Sequence, residues 1–213
     1  MAKTMTASVP ATITDGQIDN TVAKLRDALR KHRTEFDSEI TQKVLGVENL
    51  GMEILAPFRA RVEALSSLIT RRVKVDRART PQQALDATGR RQYIDNNVVD
   101  SMPRTKTEGI EEAEVFFFKP RPKSYENGLI SDDRLEAEFD FVSLEAADPY
   151  AQAAVNEADP AFADTHPNGT HWKDANGKWC FATFFRWDDK PFVHVDRYDF
   201  DWIDSWWFAG VLK

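Results

Sequence analysis

Few residues of this chain could do covalent or metal chemistry. Its 213 residues contain one cysteine, Cys180, and four histidines. Cys180 with His171 or His194 as base would make a thiol nucleophile. It stands between Trp179 and Phe181, however, and a thiol buried in an apolar strand is inert. Asp164, His166 and His171 have the ligand types of a metal site around Pro167-Asn168-Gly169. A hydrated polar loop would use the same residues. Asp188/Asp189 and Asp199/Asp201 offer the paired carboxylates of glycoside hydrolysis, although acidic pairs also build turns. His194 alternates with valines and has no identifiable partner. Asn168-Gly169-Thr170 fits a glycosylation triplet but reads as a turn. A single cysteine excludes an intramolecular disulfide framework and a multi-cysteine zinc site. The expectation is therefore no enzyme, no catalytic residue, no metal and no cofactor. A hydrolase using Asp carboxylates or Cys180 stands as the alternative.

Charge narrows the partners. The net charge is -7. Residues 1–75 carry 12 Lys/Arg against 9 Asp/Glu, and residues 76–213 carry 16 against 26. An acidic C-terminal two-thirds argues against a nucleic-acid groove, because phosphates require cations. No apolar run approaches the ~20 residues needed to span a bilayer, and the first twenty residues lack a signal-peptide pattern. A cytoplasmic location follows by default, with surface display left to some other route.

Any such residues must be positioned by elements. Residues 1–14 read as a disordered lead. From Asp15, apolar residues at Ile18, Val22, Leu25, Leu29, Phe36, Ile40 and Val44 make one helical stripe, broken at Gly46. A second stripe runs Leu55, Phe58, Val62, Leu65 and Ile69, with Pro57 in its first turn or at a kink. Residues 15–72 are thus expected to form a helical hairpin burying its stripes on each other; they could also carry homo-oligomerisation. Lys74 to Arg77 suggests a short strand, and Thr80-Pro81-Gln82-Gln83 a capping box with proline at the first helical position. Further helices are expected from Asp95, Ser131 and Asp148, a strand over Glu114–Phe118, and a long loop from Asp159 to Gly169.

The C-terminal end is β-like and crowded with rings. All six tryptophans and 13 of the 24 aromatics fall within residues 172–213, enough for a dense core, a sticky surface, or both. Asn176-Gly177 marks a hairpin. Trp179 to Trp187 is apolar on both faces, as a central strand is. Asp188 to Pro191 is a turn. Val193 and Val195 then point one way, with Phe192, His194 and Asp196 the other. Tyr198 to Ser205 is a polar, aromatic loop interrupted by Trp202, and Trp206 to Val211 is a last buried strand. Trp179, Trp187, Trp202, Trp206 and Trp207 read as frame.

This ending resembles the C-type-lectin-like variable proteins of diversity-generating retroelements. The resemblance rests on the core strand Trp179-Cys180-Phe181-Ala182, Arg186-Trp187, the Phe192–Ser205 stretch, and the closing Trp206-Trp207-Phe208-Ala209-Gly210-Val211-Leu212-Lys213. It implies an α+β chain, with the helical hairpin followed over residues 73–213 by a C-type-lectin-like mixed α/β domain with a small antiparallel sheet. It further implies a diversifiable surface near residues 185–205 that binds a protein or cell-surface ligand. Its ligand positions map onto Phe185, Asp188, Asp189, Lys190, Phe192, His194, Asp196, Tyr198, Asp199, Phe200, Asp201, Ile203, Asp204 and Ser205. The Glu-Pro-Asn and Trp-Asn-Asp motifs of calcium-dependent sugar binding are absent, as is the cysteine pair of the related copper-dependent oxidases. Rings with small polar groups also suit a binding surface on general grounds, although Phe192, Tyr198 and Phe200 could equally be packing. An assembly protein with an aromatic interface is the further alternative.

Overall fold

The computed structural model describes residues 12–104, 109–197 and 201–213. The chain divides into two units, residues 1–56 and residues 57–213. Most of the expected lead and the site candidates Tyr198, Asp199 and Phe200 lie outside the described residues.

The first unit is helical. Helix α1 (Asp15–Lys31) opens with a capping box: the Thr14 hydroxyl accepts from the Gln17 N–H, and the Gln17 side chain accepts from the Thr14 N–H. The expected single helix ends here. A 3-10 turn over Arg33–Glu35 follows, and Asp37 caps a separate α2 (Ser38–Leu45) by accepting from the Ile40 N–H. Aspartate caps its own new helix because its carboxylate satisfies an orphan backbone donor. Helix α3 (Leu50–Ser66) begins in this unit and continues into the second, and holds Pro57 in its eighth position, past the first turn. No residue of α1, α2 or α3 is buried. The expected mutual burial of two stripes is therefore not found. Three helices stand where two were expected, and Ile69 belongs to a strand.

The second unit is α+β. Its elements run β1 (Ile69–Asp76), α4 (Pro81–Asp86), β2 (Arg91–Ile94), α5 (Asn96–Asp100), β3 (Ile110–Phe118), β4 (Leu129–Ile130), α6 (Asp132–Phe141), β5 (Leu144–Ala146), α7 (Pro149–Ala158), α8 (Phe162–Thr165), β6 (Asn168–Lys173), β7 (Trp179–Trp187), β8 (Lys190–Asp196), β9 (Trp202–Ile203) and β10 (Trp207–Leu212). The Thr80–Gln83 capping box forms with Pro81 at the helix start, and Asp95 and Asp148 cap α5 and α7. Gly89, at φ +63°, ends the α4 region in the left-handed conformation that glycine adopts without strain.

The sheet is larger than expected and mixed. Its order is β1-β3-β10-β6-β7-β8-β2, with β5 also pairing to β10, and β4 pairs separately with β9. Strands β10/β6 and β2/β8 are parallel. A small antiparallel sheet was what the resemblance implied. Parallel neighbours arrive through long crossovers, which carry no local signature. The segment read as a loop to Gly169 instead forms α8 and the start of β6. Asn168 is fully buried, its side-chain oxygen accepting from Gln152 and Asn156 at 3.0 Å each. Gly169 lies beneath Trp202, where a Cβ would meet the ring at 3.0 Å.

Two cores sandwich the sheet. Val75, Val115, Phe117, Ala182, Phe184, Val193 and Val195 pack with α4, α5, α7 and α8 on one side. Phe118, Phe181, Phe208 and Trp202 pack with Leu135 and Phe139 of α6 on the other. At about 25 cal/mol per Å² of buried apolar surface, such paired cores are the dominant favourable contribution.

Candidate functional site

The hairpin β7/β8 positions half of the expected ligand residues. In its antiparallel register Phe181 faces Asp196, Thr183 faces His194, Phe185 faces Phe192 and Trp187 faces Lys190. Strand alternation puts these on one side and Ala182, Phe184, Val193 and Val195 on the other. The latter four are fully buried. At the connection, Asp188 and Asp189 both have positive φ, 49° and 56°, the backbone of the primed turns that match strand twist. Parallel β2 adds Tyr93 beside His194 and Arg91 beside Phe192.

The outer side is a ladder of rings. Trp187 lies 6.0 Å from Phe192, Phe192 stacks on Phe185 at 5.9 Å, and Phe185 meets Trp206 edge-on at 5.8 Å. A second line runs from Tyr93 to His194 at 4.9 Å, then to Phe181 at 4.9 Å and Trp202 at 5.7 Å. Both lines descend inward from solvent, and the second reaches the core. Trp187 is 68% and Tyr93 67% exposed, Phe185, Phe192, His194 and Trp206 are half-buried, and Trp202 is 2% exposed. Burial lowers the His194 pKa, with Asp196 pulling the other way, so the ring is held toward its neutral form. Neutral imidazole between two rings can both donate and accept a hydrogen bond.

The expected residues fall into three places. Phe185, Phe192, His194 and Asp196 share the ladder face, and exposed Asp188, Asp189 and Lys190 form its tip. Asp201, Ile203, Asp204 and Ser205 are exposed along β9 and its flanks. There the Asp204 carbonyl accepts from Lys119 Nζ at 3.1 Å, in a cavity lined also by Arg121, Tyr125 and Gly128. The frame assignment of Trp187 is corrected by its exposure: it ends a strand at the turn, beyond the covering layer. Tyr93 and Arg91 were missed. Gly89 followed by a short alternating run was the available signal, but parallel pairing to β8 is not written locally.

A second cluster, also unforeseen, borders this face. His171 is buried, with Nδ1 2.6 Å from Asp132 Oδ1 and Nε2 2.7 Å from Glu136 Oε1. Two ionised carboxylates require both ring nitrogens to donate, which is the imidazolium. Burial opposes that charge, but the bonds to Asp132 and Glu136 prevail and raise the His171 pKa. The bond to His171 in turn lowers the Glu136 pKa against burial. Trp179 stacks on the imidazole at 4.5 Å and Phe139 at 5.7 Å. Asp132 also accepts from Trp202 Nε1 at 2.8 Å, so one carboxylate ties α6 to β6 and β9. The partners sit one helical turn apart at Asp132 and Glu136, a spacing visible in sequence but without meaning until β6 is placed.

The chemistry weighed from sequence is dispersed. Cys180 pairs with Trp172 and His171 with Phe181, so thiol and imidazole lie on opposite sides of the sheet. Cys180 is buried, and burial raises its pKa. Asp164 pairs with Arg186 at 2.8 Å, His166 bonds Thr165 and stacks on Phe162, and His171 is engaged by carboxylates. Among the described residues no three His, Cys, Asp or Glu side chains are grouped to hold a metal ion, and no helix is long and apolar enough to cross a membrane. No family model, no curated protein and no solved structure matches the chain.

Proposed function

We propose that this chain is a ligand-binding protein, presenting a diversifiable aromatic and polar surface on a C-type-lectin-like scaffold to a protein or cell-surface ligand. The observation that carries the reading is the ladder itself. Rings stepping from 2% to 68% exposure stand above an underside that is fully buried. Such rings offer large contact area at small entropic cost, and their buried ends hold them in place before a ligand arrives. Asp188, Asp189, Lys190, His194 and Asp196 supply adaptable polar contacts around them. The order of elements also supports the scaffold: core strand β7, then the aromatic and polar stretch, then β10 closing inside the sheet.

The test is selection of peptides from a random displayed library against the wild-type chain, then titration against Trp187→Ser/Tyr93→Ser. Both side chains are two-thirds exposed, so the expected melting temperature is unchanged. Loss of both rings is expected to weaken the selected peptides by at least 2 kcal/mol, roughly thirtyfold. Undiminished binding by the double variant would place the recognition surface elsewhere.

A further inference from the structure

Arg90 is 6% exposed. Its Nη1 donates to the Phe185 carbonyl at 3.2 Å and its Nη2 to the Pro160 carbonyl at 2.6 Å, while its buried Nε has no hydrogen-bond partner among the described residues. No carboxylate bonds it there. The other deeply buried arginine behaves differently: Arg77, 2% exposed, donates to Asp148 at 2.6 Å and to Glu111 at 2.7 Å. Burying a guanidinium without a counter-charge is costly, and chains ordinarily pair it.

The missing charge has a place to sit. Arg90 lines a cavity of about 310 Å³ with Arg186, Asp164, Thr88, Pro160 and Pro191. Arg186 is half-exposed, donating from Nη1 to Asp164 at 2.8 Å and from Nη2 to the Asp189 carbonyl at 3.0 Å. Two guanidinium groups thus share one carboxylate around one hollow, leaving an excess positive charge. Arg186 and Pro191 are paired across the β7/β8 hairpin, on the side opposite the ring ladder, so this place is separate from the proposed ligand face.

We propose that this hollow binds a small oxyanion, the phosphate or carboxylate group of a ligand, between Arg90 and Arg186. Planar guanidinium forks suit the oxygens of either group. Asp164 occupies Arg186 in the absence of the anion and competes with it. Burial lowers the Arg90 pKa, with Arg186 adding to that effect and Asp164 opposing it, which agrees with a cation short of counter-charge.

The experiment measures melting temperature and calorimetric binding with inorganic phosphate and, separately, acetate, against chloride at matched low ionic strength. Phosphate also stabilises proteins by exclusion from their surfaces, so the variants decide. The expected result is a saturable rise with one or both anions. Arg186→Gln is expected to weaken binding about tenfold or more, the loss of one charge-assisted bond, and Asp164→Asn to tighten it severalfold. Both positions are partly exposed, so the fold is expected to survive either change. A response to phosphate alone or acetate alone assigns the source of the oxyanion. No saturable response, a response that persists in Arg186→Gln, or one no stronger in Asp164→Asn overturns the proposal.

Discussion

At the scale of single residues, His171 sets a pH dependence with a definite sign. Its pKa is raised from an ordinary 6.5 in the folded chain. The folded state therefore holds a proton that the unfolded state gives up, and this contribution is whole below pH 6.5 and drains as pH rises through the folded value. Glu136 works from the acid side. Its pKa lies below an ordinary 4.5, so its contribution is present above that pH and lost as pH falls through the folded value. The clamp of α6 on β6 is thus complete between about pH 4.5 and 6.5. His194, lowered by burial, acts oppositely, because below pH 6.5 the unfolded chain takes up a proton that the folded chain refuses. Comparing wild type with His171→Gln isolates the clamp. The wild-type advantage in melting temperature is expected to shrink steadily from pH 6.5 upward, and an advantage flat to pH 10 would mean that the ring is neutral when folded. None of this was legible in sequence. His171 was read with Asp164 and His166, its neighbours along the chain, whereas its partners lie 39 and 35 residues away.

At the scale of elements, what could be read was what is written locally. The Thr80 capping box, the Asp148 cap, the Asn176-Gly177 hairpin and the inward valines of β8 all depend on neighbours within a few residues. The face shared by Phe185, Phe192 and His194 follows from the same alternation. The parallel pair β2/β8, the insertion of β10 and the place of Tyr93 depend on crossovers and were invisible. The apolar stripes of the helices were legible, but their burial was not. Ile18, Val22, Leu25 and Leu29 are 43–51% exposed, and Phe58, Val62 and Leu65 are 39–50% exposed. Their alternating steps of four and three are those of a coiled-coil seam. Exposed runs of this kind mark association surfaces in soluble chains. Light scattering is expected to find self-association at micromolar concentration, abolished by Leu25→Asp/Leu29→Asp. A monomeric wild type would leave the seam without that role.

At the scale of the whole molecule, the concentration of tryptophan within residues 172–213 makes intrinsic fluorescence a reporter on the second unit alone, since none lies in the first. That unit is joined at its β1 edge by a buried ionic knot. Arg77 follows β1, Glu111 belongs to β3 and Asp148 caps α7 by accepting from the Ala151 N–H, so one guanidinium ties two strands to the helix packed across them. The bonds to Asp148 and Glu111 raise the Arg77 pKa despite burial. Removing the cation takes its bonds from two carboxylates, 6% and 21% exposed, in a poorly hydrated place. Losing one member of such a buried set costs about 3–5 kcal/mol. Urea unfolding followed by tryptophan fluorescence is expected to show Arg77→Met less stable by that amount with little change in the denaturant slope, since the surface exposed on unfolding is the same. Arg77→Lys keeps the charge but lacks the fork that reaches both partners, and is expected to fall between the two. A loss below about 1 kcal/mol in Arg77→Met would mean that the guanidinium adds little to this edge of the sheet, which its apolar contacts then hold.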